Sequence, residues 1–173
     1  MSQVFYELFD QSKVGDSASD HSWRFVGDQV MGGLSSGLID PITIDGVECV
    51  CLSGNVSVAN NGGFIQMAWD FSEEQAAHAQ QFDGLYLDVI GNGEGYNLHL
   101  RTSQLWLPWQ SFRSGFRAGS GWQRLLFPFS EFQSYRTYAR LNVSKLKRIG
   151  VVAIGREFEA QVCVRSFGFY SQS

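Results

Sequence analysis

Proline is scarce in this chain, three in 173 residues, and cysteine equally so. Charged residues make up 17%, against roughly 25% in an average globular domain. No apolar run reaches the ~18 residues of a membrane-spanning helix, so stable membrane insertion is not expected. The basic residues read as scattered, with one modest cluster at Lys145, Lys147 and Arg148, and the net charge is −4. A nucleic-acid binder would carry a basic stripe, so no nucleic-acid partner is expected. The cysteines are Cys49, Cys51 and Cys163. The first two are spaced to share one face of a strand. An odd count at this spacing makes neither a disulfide framework nor a zinc site. Buried, reduced thiols are expected, and with them a reducing compartment. Acidic residues at Glu7, Asp10, Asp16 and Asp20 exclude an Arg-rich transit peptide or a charged-then-apolar secretory signal. The expectation is a cytoplasmic protein.

What is abundant is glycine, 19 residues, and phenylalanine, 14. With few helical patterns, this points to an all-β chain. Residues 1–173 read as a single domain, long enough to bury roughly 70% of the unfolded surface. Alternation predicts strands at 4–9, 46–52, 54–59, 64–71, 85–90, 96–100, 122–129, 147–155 and 161–170. Val56 and Val58 are expected inside. Residues 11–22 read as a polar loop. Residues 60–63 (NNGG) read as a hairpin or bulge, because Asn and Gly tolerate left-handed φ. Ser72 caps the best helix candidate, residues 72–81. Pro108 keeps Leu105 to Trp109 at a sheet edge or in a loop. Nine to eleven strands form a two-sheet β-sandwich or jelly roll, with one or two short helices.

Two glycine pairs stand out. Gly32-Gly33 ends WRFVGDQVMGG, residues 23–33. Gly62-Gly63 closes SGNVSVANNGGF, residues 53–64. Then come FDGLYLDVIGNGEGYNLHLR from Phe82 to Arg101, GWQRLLFPFSEF around Trp122, and IGVVAIG from Ile149. In this order the five segments resemble the complex I intermediate-associated protein 30 family across residues 4–171. Trp23, Gly32, Gly33, Gly62, Gly63, Phe64 and Trp122 fall on its structural motifs.

The resemblance implies a galactose-binding-domain-like sandwich. It also implies the role of mitochondrial members, which are chaperone-like assembly factors for respiratory complex I (NADH:ubiquinone oxidoreductase) without being part of the finished enzyme. Plant and cyanobacterial members join this domain to a dehydrogenase-like one and serve photosystem biogenesis. This chain has no G-x-G-x-x-G opening a helix. GNGEG, residues 91–95, joins two strands. No cofactor is therefore expected, and the likeness is to a stand-alone bacterial-type member.

The residues themselves carry little catalytic pattern. His21, His78 and His99 lack metal-ligand spacing, and no G-x-S-x-G elbow is present. A non-enzyme without a metal is expected. Asp28, Met31, Asn60, Asn61 and Arg101 belong to the matched motifs. They either fix the glycine loops or form a binding site where loops meet. Met31 suits a plug in an irregular gap. Arg101 has three candidate roles: a pair with Asp28, a pair with Asp88, or bonds to loop carbonyls. Trp106 and Trp109 are candidates for a protein or carbohydrate contact if exposed. The bland alternative has Leu105, Leu107 and Trp109 packed inward. A protein partner, such as a complex I assembly intermediate, is expected to meet the glycine-loop end together with the tryptophan segment. A carbohydrate-binding module is the alternative. The oligomeric state is not legible.

Overall fold

Strict alternation builds the strand Gly95–Thr102, whose Tyr96, Leu98, Leu100 and Thr102 are buried while Asn97, His99 and Arg101 face the other way. The same period recurs through a computed structural model that describes residues 2–14 and 23–172, the side chains of Val30, Met31 and Asn61 excepted. The strands are β1 (Gln3–Asp10), β2 (Arg24–Gly27), β3 (Ser36–Ile44), β4 (Val47–Val56), β5 (Phe64–Asp70), β6 (Gly84–Gly91), β7 (Gly95–Thr102), β8 (Ser111–Arg117), β9 (Gln123–Pro128), β10 (Gln133–Tyr135), β11 (Leu146–Ile154) and β12 (Phe158–Gln172). One sheet, A, runs β3-β4-β12-β6-β9, with β1 also on β12; the other, B, runs β10-β8-β7-β11-β5-β2. Neighbours are antiparallel throughout.

The two inner faces bury Leu52, Leu85, Phe167 and Phe169 from sheet A against Ile65, Met67, Leu98 and Phe112 from sheet B. Trp23 and Trp69 meet Phe167 edge-on, with ring centroids 5.3 and 4.9 Å apart. Such contacts add to the ordinary gain from burying apolar surface. The helix α1 (Glu73–Ala79) has the expected cap: Gln75 N–H donates to the Ser72 hydroxyl at 3.1 Å, and Ser72 N–H donates to Gln75 Oε1 at 2.8 Å.

Several expectations need correction. Residues 36–44 form an unexpected strand, β3, whose Pro41 is tolerated at the edge of sheet A. Residues 46–52 and 54–59 are not separate strands. β4 runs through Gly54, whose φ of 156° a side chain would rarely adopt. Val58 lies past its end, exposed, where alternation no longer applies. The 60–63 turn is no hairpin. It carries the chain from β4 in sheet A to β5 in sheet B through a 3-10 turn, with Asn60 left-handed at φ 55°.

The free-thiol reading is also wrong for two of the three cysteines. Cys51 and Cys163 are paired partners on β4 and β12 and are joined by a disulfide, while Cys49 stays a buried thiol. The pairing spans 112 residues, so spacing along the chain could not reveal it. The inference of a reducing compartment loses its support. The strand total, twelve among the described residues, exceeds the nine to eleven expected. Residues 15–22 of the polar loop, His21 among them, lie outside the described residues. No helix among those described is long and apolar enough to cross a membrane.

Candidate functional site

Asp28 opens the 3-10 turn Asp28–Met31 and is wholly buried. Its carboxylate accepts from Ser35 N–H at 3.1 Å, the Ser35 hydroxyl at 2.5 Å, Gly63 N–H at 2.6 Å and Phe64 N–H at 3.2 Å. Burial alone would raise its pKa, but the bonds from Ser35, Gly63 and Phe64 outweigh it and hold the pKa below the ordinary value. The Ser35 hydroxyl also accepts from Ser57 N–H at 2.8 Å. One buried anion thus stitches both glycine loops together. The backbones touch: a Cβ on Gly33 would sit 2.8 Å from Gly62 Cα and 2.5 Å from Asp28 Oδ1. Asp28 has no capacity left for a ligand. Asn60 shapes the corner through its backbone. The side chains of Met31 and Asn61 are not among those described.

Arg101 takes the third of its candidate roles. Its Nη1 donates to the carbonyls of Leu107, Pro108 and Gln110 at 3.0, 3.3 and 2.6 Å. Asp88 pairs instead with Arg124, through Nε at 2.7 Å. Burial, and then the nearby Arg148 charge, lower the pKa of Arg101. The loop it braces is tied by further hydrogen bonds. Trp106 and Leu107 N–H groups donate to Gln110 Oε1 at 3.1 and 3.0 Å. Gln110 Nε2 then donates to Arg136 O at 3.1 Å, and Gln104 Nε2 to Arg140 O at 2.9 Å. Leu105 is buried, but Trp106 is 91% exposed and Trp109 54%. The inward-packed alternative for Trp109 is therefore wrong. Pro108 removes a backbone donor and keeps this stretch out of the sheet.

The glycine loops and the tryptophan loop do not form one surface. Phe64, beside the glycine clamp, pairs with Ile154 on β11. Arg148 at the far end of β11 pairs with Asp70 and with Arg101. Six strand steps at ~3.3 Å put roughly 20 Å between them. The predicted site residues thus fall into two groups, Arg101, Trp106 and Trp109 at one end, and Asp28 with the Asn60 corner at the other. A cavity of about 340 Å³ beside them is lined by Asp70, Arg101, Leu105, Lys147 and Arg148. A polar groove of about 640 Å³ crosses β8 and β10, lined by Asn97, Arg113, Glu131, Gln133 and Tyr135. There the Arg113 guanidinium lies 3.5 Å above the Tyr135 ring.

His99 sits between these regions, with Nε2 buried and without a hydrogen-bond partner. Desolvation, helped by the Arg113 charge, lowers its pKa from 6.5 to about 3. The neutral imidazole is thus the folded form, while the unfolded chain takes up a proton as pH falls through 6.5. Stability from this group is complete above 6.5 and is lost as pH falls toward 3. Between pH 7 and pH 5 the expected loss is about 2 kcal/mol. Urea titrations at both pH values should show it in the wild type and not in His99→Gln. An equal loss in the variant would refute the assignment.

The basic residues are not evenly scattered along the chain. Residues 95–156 hold ten of the thirteen Lys and Arg residues and, of the acids, Glu131 alone. The rest of the chain is correspondingly acidic. The exposed aromatics at Trp106, Trp109 and Tyr138 all fall within this basic half.

Comparison with known proteins bears on the fold and the family. The profile of the complex I intermediate-associated protein 30 family matches residues 9–163. No curated protein sequence matches. Among solved structures, the family 11 carbohydrate-binding module of the cellulosomal cellulase Lic26A-Cel5E of Clostridium thermocellum superposes with a TM-score of 0.74 at 9% identity, covering 98% of this chain and 96% of that one. The family 11 module from the same organism in complex with a β-1,3-1,4-mixed-linked tetrasaccharide gives 0.73 at 10% identity, covering 96% and 95%. The family 30 module of the cellulosomal cellulase Cel9D-Cel44B of that organism gives 0.63 at 12%, covering 100% and 99%. At such identities the likeness is one of fold, the galactose-binding-like sandwich.

Proposed function

The chain belongs to the complex I intermediate-associated protein 30 family, and from that premise we propose that it is a non-enzymatic, chaperone-like binding domain that assists assembly of a respiratory or other membrane complex. The observation that carries the reading is the braced tryptophan loop. Arg101 and Gln110 hold two indoles in solvent instead of letting them pack. Keeping large apolar side chains exposed on a rigid scaffold is the mark of a contact surface. The partner meets this end of sheet B and the polar outer face carrying Asn97, His99 and Arg113. The Asp28 clamp at the other end is structural. In a deletion strain, the assembled complex should fall and sub-assemblies accumulate. Tagged protein should recover subunits of that complex from detergent-solubilised membranes. Normal complex levels in the deletion strain, with no subunit recovered, would sink the reading.

The exposed indoles also favour a second reading, a carbohydrate-binding module, because both can stack on a sugar ring. Retardation in affinity gels containing soluble β-glucans, lost in Trp106→Ala/Trp109→Ala, would support it. Unretarded wild-type migration across a range of glycans would dispose of it.

A further inference from the structure

The tryptophan loop does not stand alone. Hydrogen bonds from Gln104 and Gln110 tie it to residues 136–142, so that Tyr138 joins Trp106, Leu107 and Trp109 in one protruding knob. Tyr138 is fully exposed and Leu107 42% exposed. Trp106 is nearly as exposed as Tyr138, and Trp109 is about half exposed. Arg136 and Arg140 flank Tyr138 in sequence. Arg101, Lys147 and Arg148 border the cavity at the base of the knob, and Lys145 O accepts from Ser103 N–H at 2.9 Å beside it. The carboxylates placed at this end by the described residues are Asp70 and the α1 pair Glu73 and Glu74. Asp70 is taken up by Arg24 at 2.8 Å and Arg148 at 3.2 Å. α1 packs on the 3-10 turn Val143–Lys145. Cations remain in clear excess, although the whole chain carries −4.

We propose that this knob is a peripheral membrane anchor that reads an anionic phospholipid surface. Tryptophan and tyrosine settle at the headgroup level, where an apolar ring and a polar N–H or O–H are both satisfied. Surrounding Lys and Arg residues are drawn to the negative surface potential. Exposed amphipathic rings with a cationic surround suit a fluid, laterally uniform anionic layer. The inference rests on the assembly reading only in that the domain works beside a membrane. It narrows that reading by giving the tryptophan contact surface to the bilayer in which the complex assembles, with the polar outer face of sheet B meeting the assembling subunits. Binding through exposed rings and surface cations is reversible and salt-sensitive.

The test uses the full chain with vesicles of phosphatidylcholine alone, or with roughly a third phosphatidylserine. Flotation should recover the protein with the anionic vesicles and leave it behind with the neutral ones. Brominated acyl chains should quench its tryptophan emission. Trp106→Ala/Trp109→Ala should cut partitioning at least about tenfold and abolish the added quenching, with a thermal stability lowered only modestly, since Trp106 is 91% exposed and Trp109 54%. Arg136→Gln and Arg140→Gln should each lower partitioning roughly fivefold. Absence of flotation, equal flotation with neutral vesicles, or binding indifferent to the tryptophan change would overturn the anchor. Should flotation be absent while the tryptophan variant loses capture of subunits in detergent, the knob is a protein contact and the assembly reading stands without the anchor. Should flotation succeed while no subunit is ever captured, the anchor stands and the assembly reading falls.

Discussion

Replacing Asp28 by Ala is expected to destabilise the fold by about 4 kcal/mol. The carboxylate is buried and is the acceptor for four donors on three residues. Its removal leaves the N–H groups of Ser35, Gly63 and Phe64 facing a cavity too small to hydrate freely. Each buried donor left unpaired costs ~1–3 kcal/mol. Asp28→Asn should lie between wild type and Ala. Its carbonyl can replace Oδ2, but its NH2 then faces the Ser35 N–H, donor against donor. Chemical denaturation of the three proteins at pH 7 measures the series. An Ala variant within 1 kcal/mol of wild type would show that the clamp is not what holds the two loops together.

Gly33→Val should be worse still, at roughly 4–5 kcal/mol or a failure to fold. The obstacle is space, since the new Cβ meets both Asp28 and the Gly62 backbone. Neither can yield without breaking the carboxylate's bonds. Gly63→Val tests something different. Its φ of 141° is rarely adopted by a side chain, while the nearest atom to a Cβ, on Val58, is 3.8 Å off. The cost there is backbone strain alone, of order 1–3 kcal/mol. Soluble yield and unfolding midpoints for the two variants separate crowding from strain.

The contrast shows what was legible in the residues. Local chemistry was readable: the Ser72 cap, the alternation of β7 and the apolar centre of β11 follow from neighbours in sequence. The run of short alternating strands made the two-sheet sandwich an expectation, and the family motifs made it a galactose-binding-like one. Long-range matters were not readable. That Asp28 reaches Gly63, or that Cys51 faces Cys163, depends on which strands lie side by side. β3 escaped because an edge strand needs no continuous apolar face and can carry Pro41. Whether Trp109 packs inward or faces solvent was open in the sequence, because the reach of Arg101 to the Gln110 carbonyl is encoded in no spacing. The basic half of the chain was countable all along. Its meaning depended on seeing its aromatics on one knob.

The long closing strand bears on how the chain is made. β12 borders β4 along Phe158–Val164, β1 along Ser166–Gln172, and β6 on its other side. None of these three contacts can form until residue 158 has left the ribosome. At ~5–20 residues per second, a nascent chain spends several seconds with three sheet edges open. Sheet B needs nothing beyond Ile154, so it can close ~1–4 s before the end of β12 emerges and offer one finished face as a template. Synthesis order therefore makes sheet A the late half, and the vulnerable intermediate is a half-sandwich. For as long as it lasts, such a nascent chain would itself be a client for chaperones.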